Sequence, residues 1–164
     1  MRYDALRDSL LRARESRQAL LDDLFPAPFP ATVMLSLNLP GPEKTGARAE
    51  RLFESGEKAL LEALRVHSTV RGCDELGPFA LYRSGLQATP LKRLAICLES
   101  THPAGRLLDI DIFDHLGRQL GRDQLDIPPR SCLLCGEPAL ACIRAKRHES
   151  DELMRRAHAV IDAL

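Results

Sequence analysis

The sequence predicts an α+β fold: a ferredoxin-like or nucleotidyltransferase-like mixed sheet with helices on one face and an added helix at each terminus. Three observations carry this. Residues 32–39 alternate apolar and polar side chains, residues 47–64 and 89–98 repeat apolar side chains at helical spacing, and residues 108–114 alternate again. Strand, helix, weak hairpin, helix, strand is the order of a split βαβ sandwich.

Residues 4–24 carry Leu6, Leu10, Ala13, Leu20 and Leu24 among many charges, an amphipathic helix stopped by Pro26, Pro28 and Pro30. The first strand sets Val33, Leu35, Leu37 and Leu39 on one face and Thr32, Met34, Ser36 and Asn38 on the other. A Pro/Gly loop at 40–46 ends it. Leu52, Phe53, Leu60, Leu61 and Leu64 form the stripe of a second helix, and Gly56, which costs about 1 kcal/mol against Ala, hints at close packing there. Phe79-Ala80-Leu81-Tyr82 is the one β-like run within 66–84 and suggests a weak hairpin. Thr89 reads as an N-cap with Pro90 at the first helical position, followed by Leu91, Leu94, Ala95 and Leu98. Cys97 in that helix reads as core. A last helix, capped by Ser150, has Asp151 and Glu152 in its first turn and a stripe of Leu153, Met154, Ala157, Val160, Ile161 and Leu164.

The 164 residues suit one domain, 1–164, with an N-terminal helix at 1–25 and a Cys/His module at 130–148. Lys plus Arg and Asp plus Glu number 23 each, so no global field favours nucleic acid or a membrane surface. No run reaches the ~18 apolar residues of a membrane span, and the charged start lacks the pattern of a secretion signal. A cytoplasmic protein is expected. Its odd count of five cysteines then favours reduced thiols or a metal over disulfides.

Asp109 and Asp111 are the most informative pair. In an extended strand they project together, ~7 Å apart, from the face opposite Leu108, Ile110 and Ile112. Two hard oxygen ligands at that spacing suit one Mg²⁺ shared with substrate phosphates, the equipment of phosphoryl or nucleotidyl transfer. The alternative is a solvated polar face without chemistry. Gly105 just before the strand allows close approach of a ligand to the backbone, and Arg106 offers a planar guanidinium for a phosphate. Asp114 precedes His115-Leu116-Gly117 and reads as a turn residue.

Cys132, Cys135, Cys142 and His148 supply the four soft ligands of a closed tetrahedral Zn²⁺ site, with Gly136-Glu137-Pro138 as the turn that lets the two halves meet. Spacing alone equally allows three buried thiols beside a basic strip of Arg144, Lys146 and Arg147.

The runs His102-Pro103-Ala104-Gly105-Arg106-Leu107-Leu108-Asp109-Ile110-Asp111 and Pro128-Pro129-Arg130-Ser131-Cys132-Leu133-Leu134-Cys135, with Cys142, His148 and the segment from Ser36 to Lys44, resemble the holo-citrate lyase synthases, also called apo-citrate lyase phosphoribosyl-dephospho-CoA transferases. Ala104 stands where the resemblance leads one to expect a larger apolar residue. The resemblance implies transfer of the 2'-(5''-triphosphoribosyl)-3'-dephospho-CoA group to a serine of the acyl carrier (gamma) subunit of citrate lyase, with release of pyrophosphate. Under it Asp109 and Asp111 hold Mg²⁺, and Arg106, Lys44, Arg130, Asn38 and Gly105 contact substrate phosphates. His102 or Glu99 accepts the serine proton. Weaker likenesses point to an Mg²⁺-dependent pyrophosphokinase using ATP, and the cysteines alone to a non-enzymatic zinc-stabilised adaptor.

Overall fold

The computed structural model describes residues 2–164. In chain order it holds α1 (Arg2–Leu24), β1 (Ala31–Leu37), α2 (Ala47–Leu64), β2 (His67–Asp74), β3 (Gly77–Ser84), α3 (Ala88–Thr101), β4 (Leu108–Asp114), α4 (Ala139–Arg144) and α5 (Ser150–Asp162). The strands form one sheet in the order β2-β3-β1-β4. Every pairing is antiparallel. The α+β class and the split βαβ order are therefore as expected, while the mixed sheet is corrected. Each crossover helix, α2 or α3, carries the chain past one strand position, so the parallel strands it connects are never neighbours.

Period-two patterning divides the sheet's faces. Val33 and Leu35 of β1, Ala80 and Tyr82 of β3, and Leu108, Ile110 and Ile112 of β4 meet Leu52, Phe53 and Leu60 of α2 and Leu91 and Ala95 of α3, with Ala157 and Ile161 of α5 closing the cluster. On the opposite face Met34, Phe79, Leu81 and Phe113 pack against Leu21. Thus α1 covers the second face. Buried Arg17 staples it there: its guanidinium bonds both carboxylate oxygens of Asp74 at 2.7 and 2.6 Å and the Gly77 carbonyl at 2.7 Å, and lies 4.3 Å over the Phe79 ring.

Several local expectations are revised. The hairpin at 66–84 is two full eight-residue strands. β2 escaped the pattern because it is an edge strand, half exposed along its length. Helix α3 begins at Ala88 with Gln87 as its N-cap, so Thr89 is helical, and Leu94 and Cys97 are exposed rather than core. Glu149, not Ser150, is the N-cap of α5. No helix among the described residues is long and apolar enough to cross a membrane.

Two glycines fix how α2 and α3 meet β4. A Cβ on Gly56 would lie 2.5 Å from Leu108 Cδ2, so α2 approaches the strand closely. A Cβ on Gly105 would lie 2.1 Å from the Glu99 carbonyl oxygen. Only glycine lets the 3₁₀ turn Gly105–Leu107 tuck under the end of α3 and launch β4. Ala104, just before that turn, is fully buried.

Candidate active site

β4 is the second edge strand, and its antiparallel register to β1 puts Asp109 opposite Ser36 and Asp111 opposite Met34. Both aspartates lie on the face away from the α2/α3 core, as the alternation predicts. Along the outer edge the backbone is closed by charged side chains. Glu99 Oε1 accepts from the Ile110 N–H at 3.1 Å, Lys92 Nζ donates to the Ile110 carbonyl at 3.1 Å, and Arg130 donates to the Leu108 and Gly105 carbonyls. Arg130 also bonds Asp109 Oδ1 at 3.0 Å, and Arg122 bonds Glu99 Oε2 at 2.7 Å. The result is a linked set of Glu99, Arg122, Arg130 and Asp109 around the strand that carries the acids.

Glu99, Gly105, Arg106, Asp109, Asp111 and Arg130 are thus brought together, and the sequence reading missed Lys92, Arg122 and Gln119. Gln119 donates to Asp111 Oδ1 at 2.7 Å. Lys44 is not part of the set: it donates to the Leu39 carbonyl, and burial with the nearby Arg14 charge holds its ammonium below its usual range. Asn38 stands at the mouth of a neighbouring cavity. His102 Nδ1 accepts the Ala104 N–H at 3.1 Å, and Nε2 meets Ser55 Oγ at 3.1 Å. Burial lowers its pKa against the opposing Ser55 hydrogen bond, and both ring nitrogens are engaged. Asp114 is the turn residue expected, its carboxylate accepting from the Leu116 and Arg118 amides at 2.9 and 3.0 Å.

The Cys/His module folds as a small hairpin followed by α4. Cys132 N donates to the Glu137 carbonyl at 2.7 Å and Ala139 N to the Arg130 carbonyl at 2.9 Å, which turns the chain back and brings Cys142 to the first pair. Cys135 Sγ lies 3.5 Å from Cys142 Sγ and 3.4 Å from His148 Nε2. All four ligand atoms lie within 4.8 Å of one another. A disulfide needs ~2.05 Å, whereas ligands 2.1–2.3 Å from one tetrahedral ion stand roughly 3.6–3.8 Å apart. The arrangement is one that could hold a metal ion. At Cys132 burial pushes the thiol pKa up, but the Leu134 and Cys135 amides and the neighbouring sulfurs outweigh it and bring it to about 7. Burial, followed by the sulfurs of Cys135 and Cys132, drives Cys142 up to about 11.

Two cavities flank this module. One of about 610 Å³ runs from Asn38 and Pro40 past Leu107 to Ile143 and Leu153, and one of about 550 Å³ is lined by Glu99, His102, Arg106, Arg122, Arg130 and Arg156; Arg106, Cys132 and Leu133 form their common wall.

The Asp111 carboxyl is raised to about 6, first by burial and then by the Asp109 charge, against the smaller opposing pulls of Lys92 and Gln119. A carboxyl raised above its unfolded value favours the folded state only while protonated, so its penalty grows as pH rises from about 4 through 6. Without divalent cations, Asp111→Asn should therefore raise stability at pH 7.5 by about 1–3 kcal/mol, with the gain shrinking towards zero at pH 4. Urea unfolding at the two pH values checks this; a loss of stability at pH 7.5 would contradict it.

A family model described as apo-citrate lyase phosphoribosyl-dephospho-CoA transferase matches residues 6–164. Proteins of that name from Escherichia coli O139:H28 and from Shigella boydii serotype 18 are each 32% identical over 154 residues, covering 91% of this chain and 82% of theirs. A relative from Escherichia coli strain 55989 named as a probable enzyme of the same kind shows the same identity and coverage. An antiparallel split βαβ sheet that presents paired aspartates at a charge-closed edge, matched along nearly its whole length, places this chain in the family of apo-citrate lyase phosphoribosyl-dephospho-CoA transferases.

Proposed function

We propose that this chain attaches the 2'-(5''-triphosphoribosyl)-3'-dephospho-CoA group to a serine of the citrate lyase acyl carrier subunit. The serine oxygen bonds to the phosphorus next to the ribose, the bond from that phosphorus to pyrophosphate breaks, and the hydroxyl proton passes to solvent. The observation that carries this reading is the placement of Asp109 and Asp111 on one face of β4 beside Arg130, in a chain matched to the transferase family over residues 6–164.

The two carboxylates fit a hard divalent cation: they are one strand step apart on a single face, and the charge of Asp109 raises Asp111, a repulsion that a cation relieves. Asp109 and Asp111 would hold Mg²⁺, which supplies neutralisation of charge developing on the transferred and leaving phosphates. Arg130 orients Asp109 and, with Arg106, offers guanidinium donors to phosphate oxygens. Glu99 holds Arg122 and the Ile110 amide, and His102 ties the end of α3 to Ala104, so both serve to position the β4 edge. Asn38 contacts the remainder of the substrate from the neighbouring cavity.

Zn²⁺ is the ion that three thiols and an imidazole at these distances suit best, and its role here is structural because all four positions are filled by protein. Glu152 stands 3.9 Å from His148 Nδ1, on the side of the ring away from the sulfurs that Nε2 faces. Free thiols of this kind belong in a reducing compartment, which supports a cytoplasmic location.

Incubating the enzyme with carrier subunit and triphosphoribosyl-dephospho-CoA should release pyrophosphate in step with the mass gain of the carrier. Asp109→Asn and Asp111→Asn should each slow this on the order of 10²-fold or more, the scale of losing one electrostatic stabiliser of the transition state. Near-normal turnover in both variants would remove the metal assignment, and carrier-independent turnover of ATP would favour a pyrophosphokinase instead. Protein purified without chelators should carry about one equivalent of zinc, bound through the closed four-ligand set. Cys135→Ser should lose the ion and melt at lower temperature, because the metal contributes folding free energy; zinc-free protein with an unshifted Cys135→Ser melt would show buried thiols only.

A further inference from the structure

We infer that the cavity lined by Arg106, Arg122, Arg130 and Arg156 is a polyphosphate cleft, and that Arg122 and Arg156 are substrate-binding residues for the triphosphate. The inference rests on the proposed transfer and locates the leaving group within it. The lining brings four guanidiniums together with a single carboxylate, Glu99. That carboxylate is already committed, 2.7 Å from Arg122, 3.7 Å from Arg130 and bonded to the Ile110 amide. The lining thus holds an excess of three positive charges in a chain whose formal net charge is zero, so the basicity is local to this cavity.

Arg106 supplies an independent observation. Its Nε donates to the Ser131 carbonyl, yet its Nη1 is buried with no hydrogen-bond partner among the described residues. Burial and then the charge of Arg130 push its pKa below the usual arginine value, against smaller opposing pulls from Cys132 and Glu99, and it stands in the wall shared by the two cavities. Buried guanidinium donors are costly to leave unmet, and an anionic oxygen in the cavity satisfies them. A single phosphate would answer one or two of the four arginines; a triphosphate, with three to four negative charges, answers the set.

Geometry also orients the chain of phosphates. Arg130 joins the cavity to Asp109 at 3.0 Å, which places the phosphate under attack at that end. The two leaving phosphates then extend towards Arg122 and towards Arg156 on α5. Arg156 is exposed on α5, so it can be altered without disturbing the core.

The test measures binding of inorganic tripolyphosphate and, separately, of dephospho-CoA to the wild type, Arg156→Gln and Arg156→Lys by calorimetry, with a melt of each. Tripolyphosphate affinity should fall about 5-fold or more in Arg156→Gln and recover in part in Arg156→Lys, with unchanged melts and unchanged dephospho-CoA affinity. Equal tripolyphosphate affinity in wild type and Arg156→Gln, or no tripolyphosphate binding to the wild type, would overturn the cleft. Parallel weakening of both ligands would also overturn it, by showing that the cavity holds the diphosphate of dephospho-CoA. Carrier-dependent pyrophosphate release by the wild type, measured alongside, separates the two ideas: release together with an unaffected Arg156→Gln removes the cleft and leaves the transfer standing.

Discussion

The outer edge of β4 is the constraint around which the rest of the molecule is arranged. In this strand the even-numbered residues turn their backbone groups away from β1, and an open row of amides and carbonyls invites pairing with another chain. Here the row is closed. Arg130 takes the Leu108 carbonyl, Glu99 and Lys92 take the two groups of Ile110, and the chain returning from the turn takes two more, with Leu120 N on the Ile112 carbonyl at 2.8 Å and Asp114 N on the Arg118 carbonyl at 3.0 Å. Charged side chains buried in this way must compensate one another, because an isolated buried charge is far more costly than a pair. Hence the acids and guanidiniums of this edge come as one connected group rather than as separate surface ion pairs.

The pleat turns that structural solution into chemistry. Leu108, Ile110 and Ile112 anchor the strand in the α2/α3 core, and the residues between them are forced to the other face. Asp109 and Asp111 are therefore held by the same packing that holds the fold, and repulsion between them is a cost carried by the core. This is the balance of stability against activity seen at sites where like charges are kept together for function. The Cys/His module extends the arrangement: it fixes residues 130–148, and so carries Arg130 to the strand edge and closes the wall that holds Arg106.

Much of this was legible in the residues. α2, β4 and α5 show clean periodicity because each sets one apolar face into the same core, β1 keeps it although both of its faces are buried because Thr32 and Ser36 make its second face partly polar, and the Cys/His cluster follows from ligand type and spacing. β2 was illegible since an edge strand with half-exposed side chains has no apolar face to display. Lys92 and Arg122 were illegible for a different reason. A charged residue at helical or loop spacing reads as solvent-facing, and only the fold shows that Lys92 is 7% exposed with its ammonium on the β4 backbone. Lys44, a phosphate contact only under the family resemblance, donates to its own Leu39 carbonyl, a partner that its place in the sequence does not announce.

The central claim is that the Asp109/Asp111 face of β4 is where a divalent cation and the transferred phosphate meet. Anomalous diffraction from crystals soaked with Mn²⁺ and a non-hydrolysable triphosphate analogue tests it directly. A manganese peak within ~2.2 Å of oxygens from both aspartates, with phosphate density reaching Arg130, is the outcome expected for a hard cation there. Manganese bound elsewhere, with both carboxylates left to Arg130 and Gln119, would contradict it.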